Sequence, residues 1–126
     1  MRLCWRDGSP AWILTPLIWR VSVPNDTGFR RLADGARRDV TIDFDGQPVG
    51  AREGDSVAAA LLMAGHGTTR TTPAGGEPRG PYCMMGVCFD CLVEIDGVPN
   101  MQACMIPVRD GMKVRPMSGA RGLDDG

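Results

Sequence analysis

The chain has 126 residues, of which 43% are hydrophobic and 23% are charged, and its formal net charge is −1. This length gives room for one small domain with a modest core. The longest apolar stretch, residues 12–19, is too short to cross a bilayer and contains Pro16, so we expect no transmembrane segment. The near-neutral charge likewise gives no indication of a nucleic-acid partner.

The charge is unevenly distributed along the chain. Residues 1–38 contain seven Arg and three Asp, whereas residues 39–126 contain seven basic and twelve acidic residues. All three tryptophans, Trp5, Trp12 and Trp19, lie in the first segment at intervals of seven. The N-terminal segment therefore differs in composition from the body of the chain.

Two interpretations of this segment stay open. The tryptophan spacing favours a helical stripe that docks on a partner, since Trp and Arg are common interface anchors. Pro16 would break the interior of such a helix, which favours an extended arm instead. We predict an N-terminal arm over residues 1–38, docked on a partner or poorly ordered, a folded domain over residues 39–118 and a flexible tail over residues 119–126.

The folded domain is predicted to begin with a β-hairpin over residues 40–51. Apolar residues alternate with polar ones at Val40, Ile42 and Phe44, and the dipeptide that follows, Asp45-Gly46, suits a tight turn.

Residues 53–65 are predicted to form a helix. Asp55 is a suitable N-cap, the Ala, Leu and Met run has high helix propensity, and Gly65 stands where a left-handed C-cap is expected. Because Val57, Leu61 and Leu62 lie on adjoining faces, the helix should pack against a sheet.

The remaining predicted elements are short. In chain order they are a strand over residues 68–72, a loop over 73–81, a strand over 92–95, a turn at 96–97, a partner strand over 102–108 and a last strand over 112–115.

A cysteine-rich loop lies between the predicted loop over 73–81 and the predicted strand over 92–95. Cys83, Cys88 and Cys91 follow the C-x4-C-x2-C spacing of plant-type [2Fe–2S] ferredoxins, and Cys104 can supply the distant fourth thiolate. Glycine is needed where backbone approaches a cluster closely, and Gly80 and Gly86 supply that freedom. The pattern predicts a [2Fe–2S] cluster held by these four cysteines.

Other interpretations of the cysteines fit less well. A structural zinc site commonly uses two separate short C-x2-4-C knuckles, whereas only one C-x2-C exists here. Four buried unligated thiols would be expected on strands or helices. A Rieske centre needs two histidines, but the chain contains only His66. A disulfide framework would leave Cys4 unpaired and would require a secreted protein, whereas a reducing cytoplasmic location agrees better with the pattern.

These motifs resemble a known family. Residues 40–116, through REGDSVAAALLMAG and PYCMMGVCFDCLVEIDG followed by QAC, are similar to the [2Fe–2S] subunits of heteromeric bacterial amine and imino-acid dehydrogenases. That group includes the small subunits of hydroxyproline dehydrogenase, hydrogen cyanide synthase and opine oxidase, and the N-terminal segment of the sarcosine oxidase alpha subunit. The resemblance implies an α+β, β-grasp (ubiquitin-like) ferredoxin fold with one packed helix.

The resemblance also implies a function. It indicates an electron-transfer subunit that accepts electrons from FAD in a partner chain and does not catalyse alone. No G-x-G-x-x-G motif follows a predicted strand, and His66 reads as a loop residue after the helix end, so no catalytic residue is assigned. The alternatives are a free-standing ferredoxin and, in another class, a zinc-stabilised interaction module.

Three large apolar residues, Met84, Met85 and Phe89, stand between the predicted ligands. They either face a flavin-containing partner or pack inward as the hydrophobic shell of the cluster.

Overall fold

The structure is a computed structural model that describes residues 29–33 and 35–118. The predicted tail and most of the predicted N-terminal arm, including Cys4 and the three tryptophans, lie outside the described residues. The helices and strands of the described part are, in chain order, β1 (Asp39–Phe44), β2 (Gln47–Arg52), α1 (Val57–Met63), β3 (Arg70–Thr71), β4 (Pro78–Arg79), β5 (Leu92–Ile95), β6 (Val98–Gln102) and β7 (Lys113–Pro116).

Five of these strands form one mixed sheet in the order β2-β1-β7-β5-β6. The central strand β7 runs parallel to β1 and antiparallel to β5, while β1–β2 and β5–β6 are antiparallel hairpins. The short strands β3 and β4 pair separately. A mixed sheet with one helix is the predicted α+β fold.

The first hairpin forms as its sequence predicts. Val40, Ile42 and Phe44 are buried. Asp45 and Gly46 have φ angles of 52° and 84°, which is the left-handed geometry of a two-residue hairpin turn. The alternating strand therefore places one face of β1 in the core.

The helix is shorter than the predicted range 53–65: it begins at Val57, and its N-cap lies one residue after the predicted Asp55. Ser56 is the N-cap and accepts a hydrogen bond from the Ala59 N–H at 3.2 Å. The carboxylate of Asp55 instead accepts hydrogen bonds from the Arg52 N–H and the Arg31 guanidinium. Asp55 lies before the first turn, where it ties the end of β2 and the described part of the N-terminal segment to the helix.

The helix ends at Met63, and Gly65, two residues beyond, has the predicted left-handed conformation with a φ of 85°. The Gly65 N–H donates to Leu62 O at 3.1 Å and the His66 N–H donates to Leu61 O at 2.9 Å, which together make a Schellman motif. His66 thus occupies the predicted position just after the helix.

The buried face of α1 packs on the sheet. Val57 and Leu61 are fully buried together with Ile42, Val93 and Val114 of the sheet, whereas Leu62, on the adjoining face, is only half-buried. At seven residues, α1 is too short to be stable alone in water, so it depends on this contact.

In the last hairpin, the predicted position of the second strand, residues 102–108, was wrong. The strand that returns from the Asp96-Gly97 turn is β6, which ends where the predicted strand over 102–108 begins. Both turn residues have left-handed φ angles, 50° and 85°, and a two-residue turn of this kind makes pairing resume at once, with Ile95 opposite Val98. Cys104 consequently lies in a turn after the strand.

Residues 103–108 cross to the beginning of the helix. The Val57 N–H donates to Ile106 O and the Ala58 N–H donates to Ala103 O, both at 2.9 Å, and the Val108 N–H donates to Asp55 O at 2.9 Å. The first turn of a helix has N–H groups without intrahelical partners, and this segment supplies acceptors for two of them.

The other deviations are small. The predicted strand over 68–72 is limited to β3, the predicted loop over 73–81 contains β4, and β7 is shifted by one residue from the predicted strand over 112–115. Residues 29–33 and 35–38 form no helix or strand. None of the described helices has the length and apolarity needed to span a membrane.

Ser56→Ala should lower the free energy of unfolding by about 1 kcal/mol, because the N-cap acceptor for Ala59 N–H is lost. For a domain of this size that is a fall of roughly 4–8 °C in the midpoint of thermal unfolding followed by circular dichroism. Ser56→Asp, which keeps an acceptor at the N-cap, is the control and should unfold near the wild-type temperature. Equal losses in both variants would contradict the capping role.

Candidate metal centre

The cysteine loop owes its shape to three left-handed residues. Met84, Gly86 and Phe89 have φ angles of 57°, 81° and 58°. Glycine adopts this region freely, but a bulky residue such as Met or Phe does so at a cost of about 1–3 kcal/mol. The loop is therefore strained at two positions, and contacts with the rest of the domain must hold it.

The four predicted ligands are free thiols. Cys88 is close enough to Cys83, and Cys104 close enough to Cys91, to affect the pKa of its neighbour, so the thiols fall into two pairs. The first pair is half-buried near the surface, whereas Cys91 and Cys104 are only 2% and 9% exposed. The site has one side near solvent and one side in the core.

Backbone N–H groups donate to Cys83 and Cys88, the pair near the surface, which we call the outer pair; Cys91 and Cys104 are the inner pair. The Met85 N–H donates to Cys83 Sγ and the Asp90 N–H donates to Cys88 Sγ, each at 3.4 Å. Hydrogen bonds from the N–H groups of Met85, Val87 and Cys88 lower the pKa of Cys83 to about 6. A donor aimed at sulfur favours the thiolate, which is the form that binds metal.

The inner pair has the opposite environment. Burial raises the pKa of Cys91 to about 11; a backbone hydrogen bond from Cys104 opposes this rise, and the neighbouring thiols Cys104 and Cys88 add to it. A buried thiolate needs a nearby positive charge, and a coordinated metal supplies one. A bound metal would therefore stabilise the thiolate form of Cys91, which burial otherwise disfavours.

The paired arrangement fits two irons. A [2Fe–2S] cluster takes four thiolates in total, so that each pair can serve one iron, whereas zinc takes four ligands around one ion. Within residues 29–33 and 35–118, no group of three or more His, Cys, Asp or Glu side chains is arranged to hold a metal ion. When bound, such a cluster supplies one-electron transfer.

The two glycines of the loop have different roles. Gly86 requires its positive φ, and a Cβ there would also lie 3.1 Å from the Met105 side chain. Gly80 has no positive φ; a Cβ there would overlap the carbonyl oxygen of Gly67. The predicted conformational freedom is confirmed at Gly86, while Gly80 is needed for the close approach of a neighbouring loop.

Several residues that position the loop escaped sequence reasoning. The Gln102 side chain donates from Nε2 to Gly86 O at 2.9 Å, which links the end of β6 to the centre of the loop. Arg70 donates from Nη2 to the Asp90 carboxylate at 2.8 Å. Both contacts join positions 16 or 20 residues apart, and no local motif in the sequence indicates them.

His66 does not take part in the described hydrogen bonds of the site. Its ring packs on Phe44 with the centroids 4.9 Å apart. This contact agrees with the interpretation of His66 as a residue of the helix end.

The apolar residues between the ligands point outward. Met84, Met85 and Phe89 are 40%, 66% and 47% exposed. These values favour the interpretation in which they face a partner over the one in which they form an inward shell. Tyr82, Val87 and Met105 are exposed beside them. We call the six residues Tyr82, Met84, Met85, Val87, Phe89 and Met105 the apolar rim.

The sheet, the packed helix and the four thiols of the loop and the later turn define a ferredoxin-like iron–sulfur domain. Comparison with known families agrees: residues 37–119 match the 2Fe-2S iron-sulfur cluster binding domain. The chain therefore belongs to that family.

Two curated relatives are subunits of one enzyme. The chain is 42% identical over 83 residues to the hydrogen cyanide synthase subunit HcnA of Pseudomonas aeruginosa, covering 66% of this chain and 79% of the relative. It is 40% identical over 80 residues to HcnA of Pseudomonas protegens, covering 64% and 75% of the two chains. The predicted resemblance to the small subunit of hydrogen cyanide synthase is confirmed.

A solved structure shows the same architecture within a larger chain. The L-proline dehydrogenase from P. horikoshii superposes with a TM-score of 0.59 and 28% sequence identity. The match covers 82% of this chain but 19% of that one, so this chain corresponds to about a fifth of that protein.

The ligand assignment predicts that replacing Cys83, Cys88, Cys91 or Cys104 by Ala lowers cluster content, measured as iron and acid-labile sulfide per chain. The yield of folded protein should fall too, because a small domain depends on its metal for stability. Cys4→Ala is the matched control and should keep full occupancy. Full occupancy in Cys104→Ala, or loss in Cys4→Ala, would contradict the assignment.

Proposed function

We propose that this chain is the electron-transfer subunit of a heteromeric flavin-dependent oxidoreductase that oxidises an amine or imino acid. Cys83, Cys88, Cys91 and Cys104 hold the [2Fe–2S] cluster, and FAD is bound by a partner chain. Two observations support a role within a complex: the relatives are subunits of hydrogen cyanide synthase, and a similar domain occurs inside L-proline dehydrogenase.

The observation that carries the proposal is the position of the apolar rim. It surrounds the outer thiol pair, where Met85 and Val87 are 66% and 67% exposed. A cluster of exposed apolar side chains is unfavourable in water and is typical of a surface that another protein covers. Flexible Met side chains suit such contacts because they fill irregular gaps. A partner on this surface would approach the site from its less buried side.

Substrate oxidation is assigned to the partner. Removing two electrons and protons from a carbon–nitrogen bond needs an organic acceptor such as flavin, whereas the cysteine site provides for one-electron chemistry. The sequence contains no G-x-G-x-x-G motif at a strand–helix junction that would bind a dinucleotide. The amine or imino-acid substrate is proposed from the resemblance of the cysteine motif and the helix to that family.

A free-standing ferredoxin is the contrasting function. Carriers that diffuse between partners commonly use strong surface charge to accelerate encounter, but this chain has a net charge of −1. An apolar rim and low net charge fit a permanent subunit better.

The purified chain alone should not oxidise amines. Amine-dependent dye reduction should appear only when an FAD-containing partner chain is added, and the substrate should then bleach the visible absorption of the cluster under anaerobic conditions. Dye reduction by the cluster-loaded chain without a partner would contradict the assignment of substrate oxidation to the partner chain. A partner-free chain that exchanges electrons with several unrelated flavoproteins at similar rates would indicate the diffusing carrier.

Replacing Met84 and Met85 together by Glu should weaken binding to the FAD-containing chain at least tenfold, about 1.4 kcal/mol, because two charges would be buried in an apolar contact. Binding is measured by titration, and cluster content by visible absorption. Val98→Glu is the matched control, since Val98 is 53% exposed at the turn of the β5–β6 hairpin, the end that lies away from Cys91 along the strand. If the double variant loses its cluster and still binds its partner, the two methionines form an inward shell.

A further inference from the structure

We propose that Arg70 and Asp90 form a charge pair that positions the Cys88–Cys91 turn, and that their opposite charges act in balance on the reduction potential of the cluster. The inference rests on the [2Fe–2S] part of the proposed function and does not depend on the flavin partner. Its starting point is a contact between β3 and the cysteine loop: Arg70 Nη2 lies 2.8 Å from Asp90 Oδ1.

Asp90 is held through all three of its polar groups. Its N–H donates to Cys88 Sγ at 3.4 Å, and its carboxylate accepts from Arg70. Its carbonyl oxygen lies 3.4 Å from the hydroxyl of Thr69, which is fully buried and also lies 3.5 Å from Arg79 O. Consecutive residues of one segment, Thr69 and Arg70, therefore fix the orientation of the residue that donates to a ligand sulfur.

The contacts of Thr69 and Arg70 with Asp90 lie next to strained backbone. Phe89 precedes Asp90 and has a φ of 58°, a region that a bulky side chain rarely adopts. Such a conformation persists only where surrounding contacts determine it. The contacts from Thr69 and Arg70 to the next residue along the chain provide that constraint, so that the N–H of Asp90 keeps its direction toward Cys88.

The side chains of the pair are largely buried, so solvent screens their charges only weakly. The side chains of Arg70 and Asp90 are 20% and 30% exposed, and in the described part of the chain the buried Nε of Arg70 has no hydrogen-bond partner. An unpaired buried donor costs free energy, so this guanidinium is not placed there for stability alone. Low exposure also reduces the screening of its field by solvent.

The sign of the effect follows from the charge of the cluster. Reduction adds one electron to a group already made negative by four thiolates, so a nearby positive charge favours the reduced state and a negative charge disfavours it. Arg70 raises the potential and Asp90 lowers it. In the native pair the two fields largely cancel, and removing either charge uncovers the other.

The experiment is a redox titration of the purified full-length chain and its variants, followed by visible absorption and electron paramagnetic resonance. Arg70→Gln should make the midpoint potential more negative, and Asp90→Asn should make it more positive. We expect each shift to change the ratio of reduced to oxidised cluster about tenfold at a fixed potential, which is about 59 mV for a one-electron couple. The double variant should return close to the wild-type potential, and Arg70→Lys, which keeps the charge, should stay near it.

The matched control is the pair Arg109 and Asp96, which is exposed and lies 3.4 Å apart. Asp96 stands five residues after Cys91 along a strand, a separation of roughly 16 Å. Arg109→Gln and Asp96→Asn should therefore shift the potential much less. Shifts of the same sign in Arg70→Gln and Asp90→Asn, or shifts no larger than those of the control pair, would overturn the proposal.

Loss of the cluster from one variant leaves the test decisive. If Arg70→Gln fails to hold a cluster, the shift of Asp90→Asn decides, because Asn keeps both the backbone donor and a side-chain acceptor; a negative or zero shift there refutes the charge effect. If the wild-type chain itself holds no [2Fe–2S] cluster, the cofactor assignment has failed, and this outcome is distinct from an unchanged potential in a loaded chain.

Discussion

The hydrogen bonds between the first turn of α1 and residues 103–108 are the constraint on which the site depends. The N–H groups of Val57 and Ala58 need acceptors, and Ile106 and Ala103 supply them. The same contact anchors the turn that carries Cys104, so one set of bonds completes the helix and places the distant thiol. Because α1 has only seven residues, the helix and the turn stabilise each other.

The site combines two environments that the fold keeps apart. Cys83 lies among backbone N–H donors near solvent, whereas Cys91 lies in the core, and their pKa values move in opposite directions for those reasons. The strained loop between them is held by Gln102 from one side and by Arg70 from the other. Contacts distant in sequence thus offset local strain, and they do so at residues next to the ligands.

The apolar rim and the Arg70–Asp90 ion pair both belong to the surroundings of the cysteine site. Residues of the apolar rim flank Cys83 and Cys88 along the chain, and the ion pair between Arg70 and Asp90 lies at the Cys88–Cys91 turn. An apolar contact surface excludes water when it is covered, which strengthens the field of every charge nearby.

The sequence by itself determined the first hairpin, the left-handed Gly65 after the helix and the four candidate ligands, because each follows from local periodicity, turn chemistry or spacing, while its resemblance to a known family implied the α+β fold class. Only the tertiary structure decided that Cys104 lies in a turn, that Ser56 caps the helix, that Gly80 makes room for Gly67, and that Arg70 reaches Asp90. The reason is physical: these features depend on hydrogen bonds and close approaches between segments distant in sequence, which local patterns do not encode.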